Sequence, residues 1–254
     1  MAVEGNESPG VAWQAETLRL TAFPFERLSD KPGWWKEIIG EEPESRIVRP
    51  RQQGLQEEGD FDRGRLRVIA QPARIDWLFT VREKGDESEG PFDTLGPLAL
   101  AVQVFQPPID RWLREFAPEI KRLGFGAILL AEVPSRADGY GTLQRFLPSV
   151  RLEEDSSDFI YQINRKRPTT TGIDGLEINR LSKWSVMLRT DMVLSFQGIA
   201  ATQMPGPVHH ALRLELDINT AAEFVGPLPH DRLGDIFSEL QEMAEEIAAR
   251  GDVK

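Results

Sequence analysis

The chain has 254 residues, 40 % of them hydrophobic and 28 % charged, which is enough apolar content for a packed core and excludes wholesale disorder. Acids outnumber bases, 41 Asp+Glu against 30 Lys+Arg, for a formal net charge of −11, which argues against a general electrostatic grip on DNA, RNA or anionic lipid. There is no cysteine, so disulfides, thiolate nucleophiles and Cys-ligated zinc are excluded.

The opening MAVEGNESPG has neither the basic segment nor the apolar core of a secretory leader. The longest apolar runs, 98–102 and 125–131, fall far short of the ~20 residues a spanning helix needs. The expectation is a cytoplasmic protein without membrane contact.

Residues 1–15 are polar with Gly and Pro and are expected to fray, leaving 16–254 as a single α+β domain. Glu16 to Phe25 alternates, with Leu18, Leu20 and Ala22 on one side, which predicts a strand. Asp30-Lys31-Pro32-Gly33 is turn chemistry, and a short helix is expected over Trp34–Ile39. Residues 41–63 are charged and Gln-rich and carry no clear element. Gly64 to Glu83 is the clearest β region: Leu66, Val68 and Ala70 alternate, then Ile75, Trp77, Phe79 and Val81, with Pro72 marking a bulge, edge or break. Residues 84–91 read as a solvated turn.

Leu98 to Phe105 is apolar at both parities, which reads first as a strand covered on both faces and second as a buried helix. A helix kinked at Pro118 and ended by Gly124 is expected over Ile109–Leu123, followed by a strand from Gly126 to Val133. Residues 135–139 and 153–155 read as loops. Strands are expected over 159–164, 176–181 and 184–190, with 192–196 extending or pairing with them, and a loop over 198–207. Val208 to Ile218 alternates best: Val208, His210, Leu212, Leu214, Leu216 and Ile218 share one face, and His209, Arg213, Glu215 and Asp217 the other. The terminal helix, 232–249, has the apolar stripe Leu233, Ile236, Phe237, Leu240, Met243, Ala244 and Ile247.

These elements order themselves twice. Strands at 74–82 and 98–105 precede a Pro-rich lead-in and a helix at 109–123; strands at 184–190 and 208–218 precede a Pro-containing lead-in and the terminal helix. The fold class expected is α+β, a mostly antiparallel sheet covered on one face by helices. A duplicated strand–strand–helix unit, with halves 16–133 and 159–250, is weighed against chance likeness of ordinary α+β patterns. The runs DFIYQINRKRP, GLEINRLSKWSV and LRLELDIN, ahead of a long terminal helix, resemble a sporadically distributed family of uncharacterised bacterial proteins of similar length. That resemblance implies a fold and a bacterial origin and nothing catalytic.

Chemistry-bearing motifs are sparse. Gly124-Phe125-Gly126 lacks the third glycine of a dinucleotide loop, Gly139-Tyr140-Gly141-Thr142 lacks the Lys-Ser/Thr of a phosphate loop, and no cofactor or metal site is expected. Glu153-Glu154-Asp155 with Asp158 reads as a solvated loop more readily than a cation site. The neighbours His209 and His210 point to opposite faces of a strand, so they cannot share one metal. His209 with Glu215 or Asp217 is the candidate for a hydrolase or nuclease site. Arg165, Lys166 and Arg167 form the densest basic patch, a candidate for binding phosphate or nucleic acid, which the net charge disfavours.

The terminal helix carries the strongest signal. Asp231, Asp235, Glu239, Glu242 and Glu246 fall within an arc of about 80° opposite the apolar stripe. Like charges at i,i+4 cost about 0.2–0.5 kcal/mol per pair, so helix stability does not explain the stripe. A cationic counterpart would explain it, either the 165–167 loop or a partner, with plain surface solubility as the alternative. The function expected first is therefore a non-catalytic cytoplasmic protein that binds another protein or its own copy, with Asp235, Glu239, Glu242 and Glu246 as the contact residues.

Overall fold

Strand alternation and helical stripes divide the side chains between one dry face and one wet face. The computed structural model describes residues 10–29, 33–82, 91–153, 156–197 and 200–252, with the backbone alone at 52 and 191–205. Strand β1 is Gln14–Pro24, and α1 is the short helix Trp35–Ile39. Strands β2 (Ser45–Arg49), β3 (Gly54–Phe61), β4 (Gly64–Gln71) and β5 (Arg74–Val81) follow as a meander. Then come α2 (Leu98–Glu115), β6 (Ile120–Val133), α3 (Arg136–Phe146), β7 (Ile160–Asn164) and the two-residue β8 (Arg167–Pro168). The long strands β9 (Glu177–Gln197) and β10 (Ala200–Thr220) precede α4 (Leu233–Arg250).

All strands join one antiparallel sheet in the order β2-β3-β4-β5-β1-β6-β10-β9-β7, with β8 beside β9. The α+β class with helices on one face of a large antiparallel sheet holds. Outward from the central β1–β6 pair, the two sides share an order: β5, β4, β3 on one, β10, β9, β7 on the other. On each side the strand beside the centre runs into a long helix, β5 into α2 and β10 into α4.

The dry face is filled by Leu18 and Leu20 of β1, Trp77 and Phe79 of β5, Phe125 and Leu129 of β6, and Leu212, Leu214 and Leu216 of β10. Over these lie Phe105 and Trp112 of α2 and Phe237 and Leu240 of α4. Aromatic rings link the layers: Phe79 stacks on Phe105, and Phe237 meets both Phe105 and Phe125 edge-on. Trp184 of β9 stacks on Phe146 of α3, and Trp13 packs against both. Removing one such buried ring costs about 3–5 kcal/mol in a core of this kind.

Several expectations are corrected here. Residues 98–105 are helix, not strand, because Leu98, Ala101, Val102, Phe105, Ile109, Trp112 and Leu113 form one continuous helical stripe. Its neighbours Ala99, Leu100 and Gln103 point outward. The kinked helix over 109–123 is likewise corrected: the helix ends at Glu115, Pro118 lies in the link, and Gly124 belongs to β6. The first strand–strand–helix block therefore does not exist as drawn, since its second strand is the front of α2. Residues 136–139 open α3 instead of forming a loop, with Ser135 as N-cap accepting from the Asp138 amide at 3.2 Å. The segment 41–63 holds β2 and β3, and 177–197 is one strand, not two. The loop expected over 198–207 is strand from Ala200 onward, with 198–199 outside the described residues. Residues 30–32, 84–90 and 154–155, expected as turns or loops, also lie outside them.

Candidate functional site

The acidic stripe of α4 and the basic loop meet each other. Arg167 donates to Glu246 at 2.9 Å, and so does Arg180 of β9, whose side chain is only 1 % exposed. Arg165 binds Asp252 at 2.7 Å through two nitrogens, and Lys166 lies 3.3 Å from Glu223. Glu239 is only 5 % exposed, and it accepts from the Thr170 amide and hydroxyl and from the Thr169 hydroxyl. Asp235 pairs with Arg232 at 2.8 Å on the surface. Of the stripe, Glu242 is exposed, and with burial it pushes the Glu245 carboxyl up.

Glu239 is thus buried and Glu246, one-quarter exposed, is engaged by Arg167 and Arg180, so two of the four expected contact residues have partners within the chain. Arg165, Lys166 and Arg167 are likewise engaged by carboxylates of the same chain. Hydrogen bonds from Arg165 hold the Asp252 carboxyl below the usual range against the effect of burial, with Tyr161 adding a donor at 2.7 Å. Burial and the neighbouring Arg167 push the Arg180 guanidinium below its ordinary value, and Glu246 opposes both.

The candidate His–carboxylate site is not assembled. His209 and Glu215 are six residues apart on one extended strand, about 20 Å along its axis. His209 instead borders a cavity of about 400 Å³ with Glu132 and Pro134, at the end of β6. Burial would raise the Glu215 carboxyl, but donors from Arg213 at 3.0 Å and Lys183 at 3.2 Å hold it below the ordinary range. His210 points to the helix-bearing side with the leucines of β10. No cluster of His, Asp and Glu suited to a metal occurs among the described residues. No helix among them is long and apolar enough to cross a membrane.

Two further surfaces lie outside the motifs named from the sequence. The first is the open face of the sheet. Ladder pairing aligns Arg67, Leu78, Arg19, Gly126, Asp217 and Leu181 in one row across it. An adjacent row runs Arg65, Thr80, Thr17, Ile128, Glu215, Lys183. Charges of both signs stand there, and ion pairs such as Arg65–Asp60 (3.1 Å) and Arg213–Glu16 (3.1 Å) neutralise several of them.

The second surface is the far half of the β9–β10 hairpin. Pairing with β6 ends at His210↔Val133, yet β10 continues to pair with β9 from Val208↔Thr190 out to Ala200↔Gln197. Eight residues of β9, 190–197, thus pair with β10 alone among the described strands, a two-stranded ribbon about 25 Å long. Its edges differ. The β10 edge carries Pro205 and Pro207 at a break in register, which removes amide donors. The β9 edge is last covered by β7 at Ser185↔Ile160, and from Val186 to Gln197 it holds no Pro and no Gly. The uneven spacing of proline between two strands was the available signal.

No family model matches the chain, and neither a curated protein nor a solved structure matches it.

Proposed function

We propose that this chain is a non-catalytic, cytoplasmic protein-binding or assembly protein. It engages another polypeptide by strand addition to the β9 edge from Val186 to Gln197. The observation that carries this reading is the uncapped edge on a ribbon with no third strand among the described residues. A two-stranded hairpin alone in water is marginal, and unpaired edge amides are a template for another strand. From Met192 to Gln197 the outer part of this edge has no charged residue to repel an incoming strand, and its two charges, Arg189 and Asp191, stand at the inner end.

Replacing 191–207 by Asn-Gly joins Thr190 to Val208 through a two-residue turn and removes the ribbon. The reading expects this variant to keep the thermal stability of the sheet body while its native mass falls or its co-purifying protein is lost. Unchanged mass together with unchanged co-purification contradicts it.

A further inference from the structure

The seam between β1 and β6 on the open face holds a cavity of about 470 Å³ that strand addition does not use. Gly126 forms its floor, between Arg19 of β1 and Asp217 of β10 in one row of the sheet. Arg19 lies flat over this glycine: a Cβ at 126 would stand 3.1 Å from its Nη2 and 3.2 Å from its Nε. That Nε is shielded from solvent and donates to no acceptor among the described residues. Arg19 makes no ion pair among them either. The buried Nε is an unsatisfied donor, while the Nη groups are not among the buried unpartnered atoms and are the ones an acceptor in the cavity can reach.

Across Gly126 stands Asp217. It accepts from Asn219 at 3.0 Å, the last step of an amide chain in which Asn164 donates to Asn179 and Asn179 to Asn219. The other two charges lining the cavity, Lys183 and Glu215, pair with each other at 3.2 Å, and Arg213, outside the lining, is shared between Glu215 and Glu16. Arg19 and Asp217 therefore remain as opposite charges about 10 Å apart at the backbone, two strand spacings, and are not paired with each other. Leu78, Ile128 and Leu181 supply apolar walls beside them.

We propose that this cavity binds a small zwitterion, an amine and a carboxylate on one carbon with an apolar side chain, as in a free aliphatic amino acid. Arg19 takes the carboxylate, Asp217 takes the ammonium, and the leucine and isoleucine walls take the side chain. A simple anion would face Asp217 and a simple cation would face Arg19, so only a ligand with both charges satisfies the site. A Cβ at 126 would press on the Arg19 guanidinium at 3.1–3.2 Å and oblige it to shift by a few tenths of an ångström.

Calorimetric titration of the full chain with L-leucine tests this, beside leucinol, which lacks the carboxylate, and isocaproate, which lacks the amine. The expected result is saturable binding of leucine, with each half-ligand weaker by about tenfold or more. Arg19→Gln should erase the preference over leucinol, Asp217→Asn the preference over isocaproate, and Gly126→Ala should weaken leucine itself. Absence of saturable binding of leucine, or equal binding of leucine and either half-ligand, overturns the proposal. The comparison of ligands on the unaltered chain decides even where a variant fails to fold, and thermal unfolding of each variant identifies such a failure.

Discussion

Glu242 and Glu246 lie on one face of α4, four residues apart, and would be equivalent if the stripe existed only to solvate a surface. In the folded chain they are not. Glu246 is the shared acceptor of Arg167 and Arg180, each at 2.9 Å, and Arg180 is 1 % exposed. Replacing Glu246 by Ala leaves that guanidinium buried without its carboxylate, a change that costs about 3–5 kcal/mol in buried pairs. Arg180 keeps other interactions, and the Asp252 charge also favours its protonated form, so the low end, about 3 kcal/mol, applies. For a chain of this length the melting temperature should fall by roughly 6–12 °C. Glu242→Ala, at an exposed position, should stay within about 0.5 kcal/mol of the parent. Thermal and urea unfolding of both variants reads the difference. Equal, small shifts for the two would refute the pairing of Glu246 with the buried Arg180.

Further outcomes follow from the same junction. Gly251→Ala should destabilise by more than ~2 kcal/mol in urea unfolding, since φ is +82° and a Cβ would fall 2.2 Å from the Phe146 carbonyl oxygen. Glu239→Ala removes the acceptor of the Thr170 amide and of two threonine hydroxyls, and should cost about 1.5–3 kcal/mol while increasing amide exchange at 169–171. The Asp252 carboxyl is held below its unfolded value, so its contribution is full above the unfolded pKa near ~3.9 and is lost as pH falls through the folded one. Asp252→Asn should therefore be less stable than the parent at neutral pH, with the gap closing below about pH 4. A gap that stayed constant down to pH ~2 would show that Asp252 is not the group responsible.

Where one signal dominated, the sequence was readable. The alternation of Leu66, Val68 and Ala70, and then of Ile75, Trp77 and Phe79, places β4 and β5 correctly, with Pro72 in the turn between them. The stripe from Leu233 to Ile247 places α4. Where both periods fit, the local pattern does not decide: LALAVQVF suits a doubly covered strand and a buried helix equally over eight residues, and only its continuation to Ile109, Trp112 and Leu113 decides for the helix. Segment 41–63 was opaque because β3 buries Glu57, 3 % exposed, beside the Trp35 amide and Arg46, so its alternation includes a charge on the dry side. The partner of the acidic stripe was legible as one of two choices. Which one holds depends on chain pairing between 167–168 and 177–178 that no local pattern encodes. The Arg19–Gly126–Asp217 row arises from strands distant in sequence and has no sequence signature at all.

Hydrogen–deuterium exchange along β9 and β10 tests the central claim most directly. For the chain at high dilution, amides of 190–197 and 200–208 should exchange far faster than those of 210–219, which pair with β6 as well as β9. Protection should then rise along Val186 to Gln197 when the binding protein, or a high concentration of the chain itself, is present. Ribbon amides protected as strongly as 210–219 at dilution, with no change on association, would contradict the account.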